Sequence, residues 1–190
     1  MTAVAERADA ARNRAAVLDA ADALYRRDDA GRVTLARIAE AAGVGKATVL
    51  RRFGSLEGVV EAVLAPRVTA LRDAVTSGDP PLGPGAPAGE ALHAYVDALF
   101  DFVLANRTLI RALEHSRPDA YYANPASRFW VEELTRRIHA AAPAADAGYL
   151  AHVVFTALRA DVVDYLHADR RMSTERQRAG LHSLVTRAAG

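Results

Sequence analysis

Apolar positions along the chain recur with the 3.6-residue period of a helix, and no run alternates convincingly as a strand would. The first helix is predicted over residues 12–27, with Ala16, Val17, Ala20, Ala21, Leu24 and Tyr25 as its apolar stripe. Asp28, Asp29 and Gly31 end it, and Thr34 caps a second helix whose inward face is Leu35, Ile38, Ala39 and Ala42. Gly43 breaks that helix, a short third helix covers 46–53, and Gly54 stops it. Ser55 and Glu57 open a fourth, running to about Val75 through Pro66, where the missing backbone donor predicts a kink. Residues 77–89, rich in Pro and Gly, read as a mobile connection. Further helices are expected over 90–104 and 107–115, parted near Asn106, then over 126–141, 146–168 and 174–188. A loop at 116–125 carries Tyr121 and Tyr122. The pattern is all-α, with about nine helices.

Composition narrows the class. Apolar residues make up 51% and charged residues 25% of the 190, a globular balance that supplies a core. The net charge of +1 rules out a polycation that coats nucleic acid, so any DNA binding must come from a local patch. Without cysteine there are no disulfides or thiolate metal sites. Residues 1–10 lack the apolar core of a signal peptide, and the stretch 150–163 is interrupted by His152, Arg159 and Asp161. The cytoplasm and no membrane contact are the expectation.

Residues 33–53, VTLARIAEAAGVGKATVLRRF, carry the chemistry. Two short helices meet across Ala42-Gly43-Val44, with glycine where the chain turns left-handed, small Ala39 at the crossing, and Ile38, Val44, Val49 and Phe53 as a little core. Those are the steric needs of a helix-turn-helix. Between Arg32 and Phe53 lie Arg32, Arg37, Lys46, Arg51 and Arg52 against one acid, Glu40. The second helix of such a motif places its N-terminal residues on base edges in the major groove, here Gly45, Lys46, Ala47 and Thr48. Gly45 and Ala47 permit close approach, Lys46 reaches guanine or phosphate, and Thr48 bonds either. Arg51 and Arg52 fall where a duplex backbone would pass, with Arg37 and Thr34 at the flank.

From Tyr25 through Val33-Thr34, Ile38-Ala39, Ala42-Gly43-Val44, Lys46-Ala47-Thr48, Arg51, Phe53 and Ser55, the sequence resembles the TetR/AcrR transcriptional regulators. The resemblance implies a DNA-binding domain at 1–54 and a helical ligand-binding and dimerisation domain at 55–190, joined by the fourth helix. It further implies a dimer built on the last two helices of each subunit. Members of the family usually carry serine at Gly45, tyrosine at Leu50 and lysine at Leu56, residues that hold phosphate, so an arginine clamp of Arg14, Arg51 and Arg52 is expected instead.

A regulator of this kind needs a cavity. Its candidate lining is Tyr95, Phe102, Tyr121, Tyr122, Phe129, Trp130 and Phe155, residues that equally suit a plain core. In the helix predicted over 146–168, Tyr149, His152, Thr156 and Arg159 share a face, so His152 and Arg159 face either an anionic or hydrogen-bonding ligand or a partner subunit. Leu150, Val153, Val154, Ala157, Leu158, Val162 and Leu166, with Leu181, Leu184 and Val185, suit a dimer interface or packing within one chain. None of the six histidines has metal-motif spacing, and no nucleophile elbow, phosphate loop or dinucleotide fingerprint occurs, so neither an enzyme nor a cofactor is expected. The reading is a homodimeric repressor released from a palindromic operator in double-stranded DNA by a small molecule. The alternative is a helical ligand-binding or protein-interaction module with weakened DNA binding.

Overall fold

The computed structural model describes residues 3–116 and 120–189, and among these it contains ten α-helices, one 3-10 turn and no strand. They are α1 (Ala3–Arg27), α2 (Leu35–Ala41), α3 (Lys46–Phe53), α4 (Leu56–Ser77), α5 (Ala88–Glu114), α6 (Ala120–Ala123), α7 (Pro125–Ala141), α8 (Ala147–Ala157), α9 (Ala160–Ala168) and α10 (Thr174–Ala189). None of them is long and apolar enough to cross a membrane.

Side chains segregate into two cores. The first gathers Val17, Ala21, Leu24 and Tyr25 from α1 with Ile38, Ala39, Val49 and the α4 residues Val59, Val60, Val63 and Leu64. The second joins Val75 of α4 to Leu92, Tyr95, Val96, Leu99 and Phe100 of α5, Leu134 and Ile138 of α7, Val154 of α8, Val163 of α9 and Leu181 and Val185 of α10. Val68 packs against both. The boundary expected after residue 54 therefore precedes a helix that is rooted in the first core and reaches into the second. Gly58 fits that root closely: a Cβ there would lie 2.0 Å from the Phe53 carbonyl oxygen.

Several local expectations change. α4 runs through Pro66 as expected and ends at Ser77, two residues past the expected end. The break foreseen near Asn106 is a kink inside α5, where Asn106 has φ −119° and ψ 16°. The Pro/Gly connection is fastened, because buried Arg137 donates to the carbonyls of Leu82 (2.5 Å) and Ala91 (2.7 Å) and pairs with Glu133 (2.7 Å). The helix expected over 146–168 is two helices. Arg159 is extended (φ −58°, ψ 139°), and the Glu114 carboxylate accepts from the backbone N–H groups of Ala160 (2.9 Å) and Asp161 (3.2 Å), capping α9 from another helix. Of the loop expected at 116–125, residues 117–119 lie outside the described residues, and 120–123 form α6. Val154, Leu158, Leu181 and Val185 are buried within this one chain rather than held open for a partner.

Candidate nucleic-acid interface and ligand cavity

The turn between α2 and α3 is built by hydrogen bonds that sequence chemistry dictates. Thr34 caps α2 by accepting from Arg37 N–H at 3.3 Å. At the other end Gly43 is left-handed (φ +66°), Val44 N–H donates to Ala39 O (3.0 Å) and Gly43 N–H to Glu40 O (3.1 Å). That pair of bonds is a Schellman stop, which reverses the chain into Gly45. Gly45 starts α3 without a side-chain cap, so nothing bulky stands before its first turn. Val49 is fully buried, and the opposite face of α3 is open: Gly45, Lys46, Ala47, Leu50, Arg51 and Arg52 are exposed and Thr48 is half-buried. Leu50, 47% exposed, is an apolar tip on an otherwise polar surface.

The cations of this surface divide by partner. Among the described residues neither Lys46 nor Arg51 has a hydrogen-bond or ion-pair partner, so both charges are available. Arg37 instead bridges Asp28 (2.6 Å) and the Arg32 carbonyl (2.6 Å), welding α2 to the end of α1. That hydrogen bond holds the Asp28 carboxyl below the usual carboxylate range. Arg52 donates to the Ala10 carbonyl, and the Arg14 guanidinium sits 5.5 Å from the Phe53 ring centroid. Both tie α1 to the far end of α3. Two of the three arginines of the expected clamp, Arg14 and Arg52, are thus already engaged in bracing the head.

A cavity of about 870 Å³ opens between α4, α5, α7 and α8. Its apolar wall is Leu64, Val68, Leu99, Phe102, Val103, Tyr121, Trp130, Phe155 and Leu158, and Ser55, Glu57, Glu61, Glu114, Ser116 and Asn124 supply polar lining. Of the residues expected here, Phe102, Tyr121, Trp130 and Phe155 line it. Tyr121 donates to the Phe155 carbonyl (2.7 Å) and stacks on that ring, and burial pushes its hydroxyl pKa up.

Tyr95, Tyr122, His152 and Arg159 do not line the cavity. Tyr95 is fully buried in the second core, donating to the Trp130 carbonyl (3.2 Å). Tyr122 is exposed, its hydroxyl 3.3 Å from Thr156 Oγ1. His152 faces solvent, with Nδ1 2.8 Å from the Gly148 carbonyl oxygen. Arg159 is turned aside by the break before α9 and grips Asp161 through two 2.9 Å bonds, which raise its pKa. The α4 lining escaped the sequence reading, although Glu57, Glu61, Leu64, Ala65 and Val68 recur at i, i+4, i+7, i+8 and i+11 and share one helix face.

One polar chain links cavity and head. Asn106, buried at the α5 kink, donates from Nδ2 to the carbonyl of Phe102 (2.8 Å), a cavity residue. Its Oδ1 accepts from Arg67 of α4 (2.6 Å), and Arg67 pairs with Asp22 of α1 (2.7 Å).

Residues 17–63 match the family described as bacterial regulatory proteins, tetR family. Among curated proteins the sequence finds no significant match. Solved structures share the whole fold. A TetR-like transcriptional regulator from Rhodococcus sp. RHA1 is 20% identical with a TM-score of 0.64, covering 92% of this chain and 94% of its own. The fatty acid degradation regulator FadR from Bacillus halodurans is 17% identical with a TM-score of 0.65, covering 90% and 93%. NalD, the secondary repressor of the MexAB-OprM multidrug efflux pump in Pseudomonas aeruginosa, is 17% identical with a TM-score of 0.61, covering 95% and 96%.

Proposed function

We propose, from the match of residues 17–63 to the TetR-family model, that this chain is a TetR-family homodimeric repressor that leaves a palindromic operator when a small molecule fills its cavity. The observation that carries the reading is the α3 surface, where Gly45, Lys46, Ala47 and Arg51 stand exposed on a braced helix whose other face is closed by Val49. Lys46 and Ala47 reach base edges, Thr48 and Leu50 contact base or sugar, and Arg51 holds phosphate. Thr34 and Arg37 flank the groove, and Arg14 and Arg52 position α3 through their contacts with Phe53 and Ala10.

Two heads are needed because one short helix seldom discriminates a site, and a two-fold dimer matches a palindrome. Tyr149 and Tyr165, left 69% and 53% exposed on α8 and α9, support a partner surface on that side. Residues 1–54 form the reading head and 55–190 the ligand-binding and dimerisation body, with α4 as the lever between them. A ligand that displaces Phe102 moves the Asn106 kink, and Arg67 carries the shift to Asp22 of α1. The ligand's preference for the displaced state supplies the energy.

The test is selection of the purified protein against a random duplex pool at low ionic strength. A two-fold symmetric sequence is expected to enrich, and Lys46→Ala to weaken binding to it by about 1–3 kcal/mol. Arg51→Ala is expected to lower the slope of log K against log salt by about 0.9. A pool with no enriched sequence contradicts the reading.

A further inference from the structure

The cavity has a direction. Its lining on α4 runs from Glu57 and Glu61, near the start of the helix, to Leu64, Ala65 and Val68, a run of about 16 Å at 1.5 Å per residue. The carboxylates stand at the start of this run, Glu57 half-buried and Glu61 exposed, whereas Leu64, Ala65 and Val68 are apolar and the lining residues Leu99 and Trp130 of α5 and α7 are buried. The start of the α4 run is therefore acidic and its continuation apolar. A third carboxylate, Glu114, enters from α5, where burial pushes its pKa up although both its oxygens accept backbone N–H groups of α9. No arginine, lysine or histidine is among the described lining residues; Arg159, whose guanidinium lies 4.9 Å from the Tyr121 ring centroid and interacts with Glu114, is itself paired with Asp161.

A carboxylate ligand placed here would meet like charges as its apolar tail entered, whereas a cation would meet opposite ones in a site partly screened from water. We propose that the cavity takes an elongated apolar molecule with a cationic end, tail toward Trp130 and charge toward Glu61 and Glu114, and discriminates against an anion of the same length. This rests on the ligand-responsive reading above and names its ligand class.

Trp130 is the chain's only tryptophan and lines the apolar wall, so its fluorescence reports occupancy directly. Dodecyltrimethylammonium and dodecanoate below their micellar concentrations, and dodecanol below its solubility limit, give one tail with a positive, a negative and no charge at neutral pH. The cation is expected to bind at least tenfold more tightly than the carboxylate, with the alcohol between them. Glu61→Gln, an exposed position where folding is not at stake, is expected to narrow that gap severalfold, and Glu114→Gln to narrow it further. A carboxylate bound as tightly as the cation, or a gap unchanged in both variants, overturns the ligand class while leaving a ligand-responsive cavity in place. If none of the three perturbs Trp130, both the ligand class and the cavity reading fail.

Discussion

The two cores of this molecule are packed to opposite ends. Ile38, Val49, Val59 and Val60 are wholly excluded from water, and Arg14, Arg37 and Arg52 brace the outside by contacts between α1, α2 and α3. Around Leu99, Val103, Trp130 and Phe155, comparable apolar side chains instead border about 870 Å³ of unfilled space. A surface that reads DNA must hold its shape, so its core is filled. A body that responds to a ligand must have somewhere to put it, and it forgoes packing contacts to keep that space. The helix α4 belongs to both, which is how one region can report on the other.

That contrast can be broken or sharpened by substitution. The largest effect is expected at the root of α4: Gly58→Ala presses a methyl against the Phe53 carbonyl, a backbone atom that cannot swing aside. It should cost about 3 kcal/mol in urea unfolding. The same change in both cores is the sharper comparison. Val49→Ala should cost about 2–3 kcal/mol from lost burial and a new void, but Val103→Ala about 1 kcal/mol, since Val103 already faces empty space on one side. Equal losses, measured at one protein concentration, would remove the distinction between a filled and a hollow core.

Arg67→Ala cuts the chain between Asn106 and Asp22. Ligand should still quench or enhance Trp130, while its effect on DNA affinity should fall by about 1–2 kcal/mol. Unchanged coupling would show that Arg67 only holds helices together. The smallest effect concerns acid. Burial opposes ionisation of Asp97, but hydrogen bonds from Arg178 (2.8 Å) and His182 (2.8 Å) outweigh it and hold the carboxyl below the usual range. Its contribution is therefore present above the unfolded carboxylate pKa of about 4 and is lost as pH falls through the lower folded value. Asp97→Asn should flatten the acid limb of stability against pH and leave DNA binding at neutral pH unchanged.

What the sequence made legible was local. Thr34, Gly43, Gly54 and Ser55 mark helix ends through bonds or dihedrals within a few residues of themselves, so the head could be drawn from its string, and the break near Asn106 likewise. What it hid was distant in sequence. Arg159 is a poor cap by type, and the helix break there depends on Glu114, more than forty residues away. The Pro/Gly connection looked loose because Arg137, which ties it down, lies in a helix further along the chain. The aromatic residues of the body could be named only as a group, because composition could not separate Tyr95, which fills space, from Trp130, which borders it.

Linkage gives the most direct trial of the central claim that cavity and reading head oppose each other. Titrate dodecyltrimethylammonium into the protein, following Trp130, first alone and then saturated with the duplex that selection enriches. The account predicts at least tenfold weaker binding with DNA present, matched by the same factor in the loss of DNA affinity when ligand is bound. Identical ligand affinity in the two titrations, with ligand demonstrably bound in both, would contradict it.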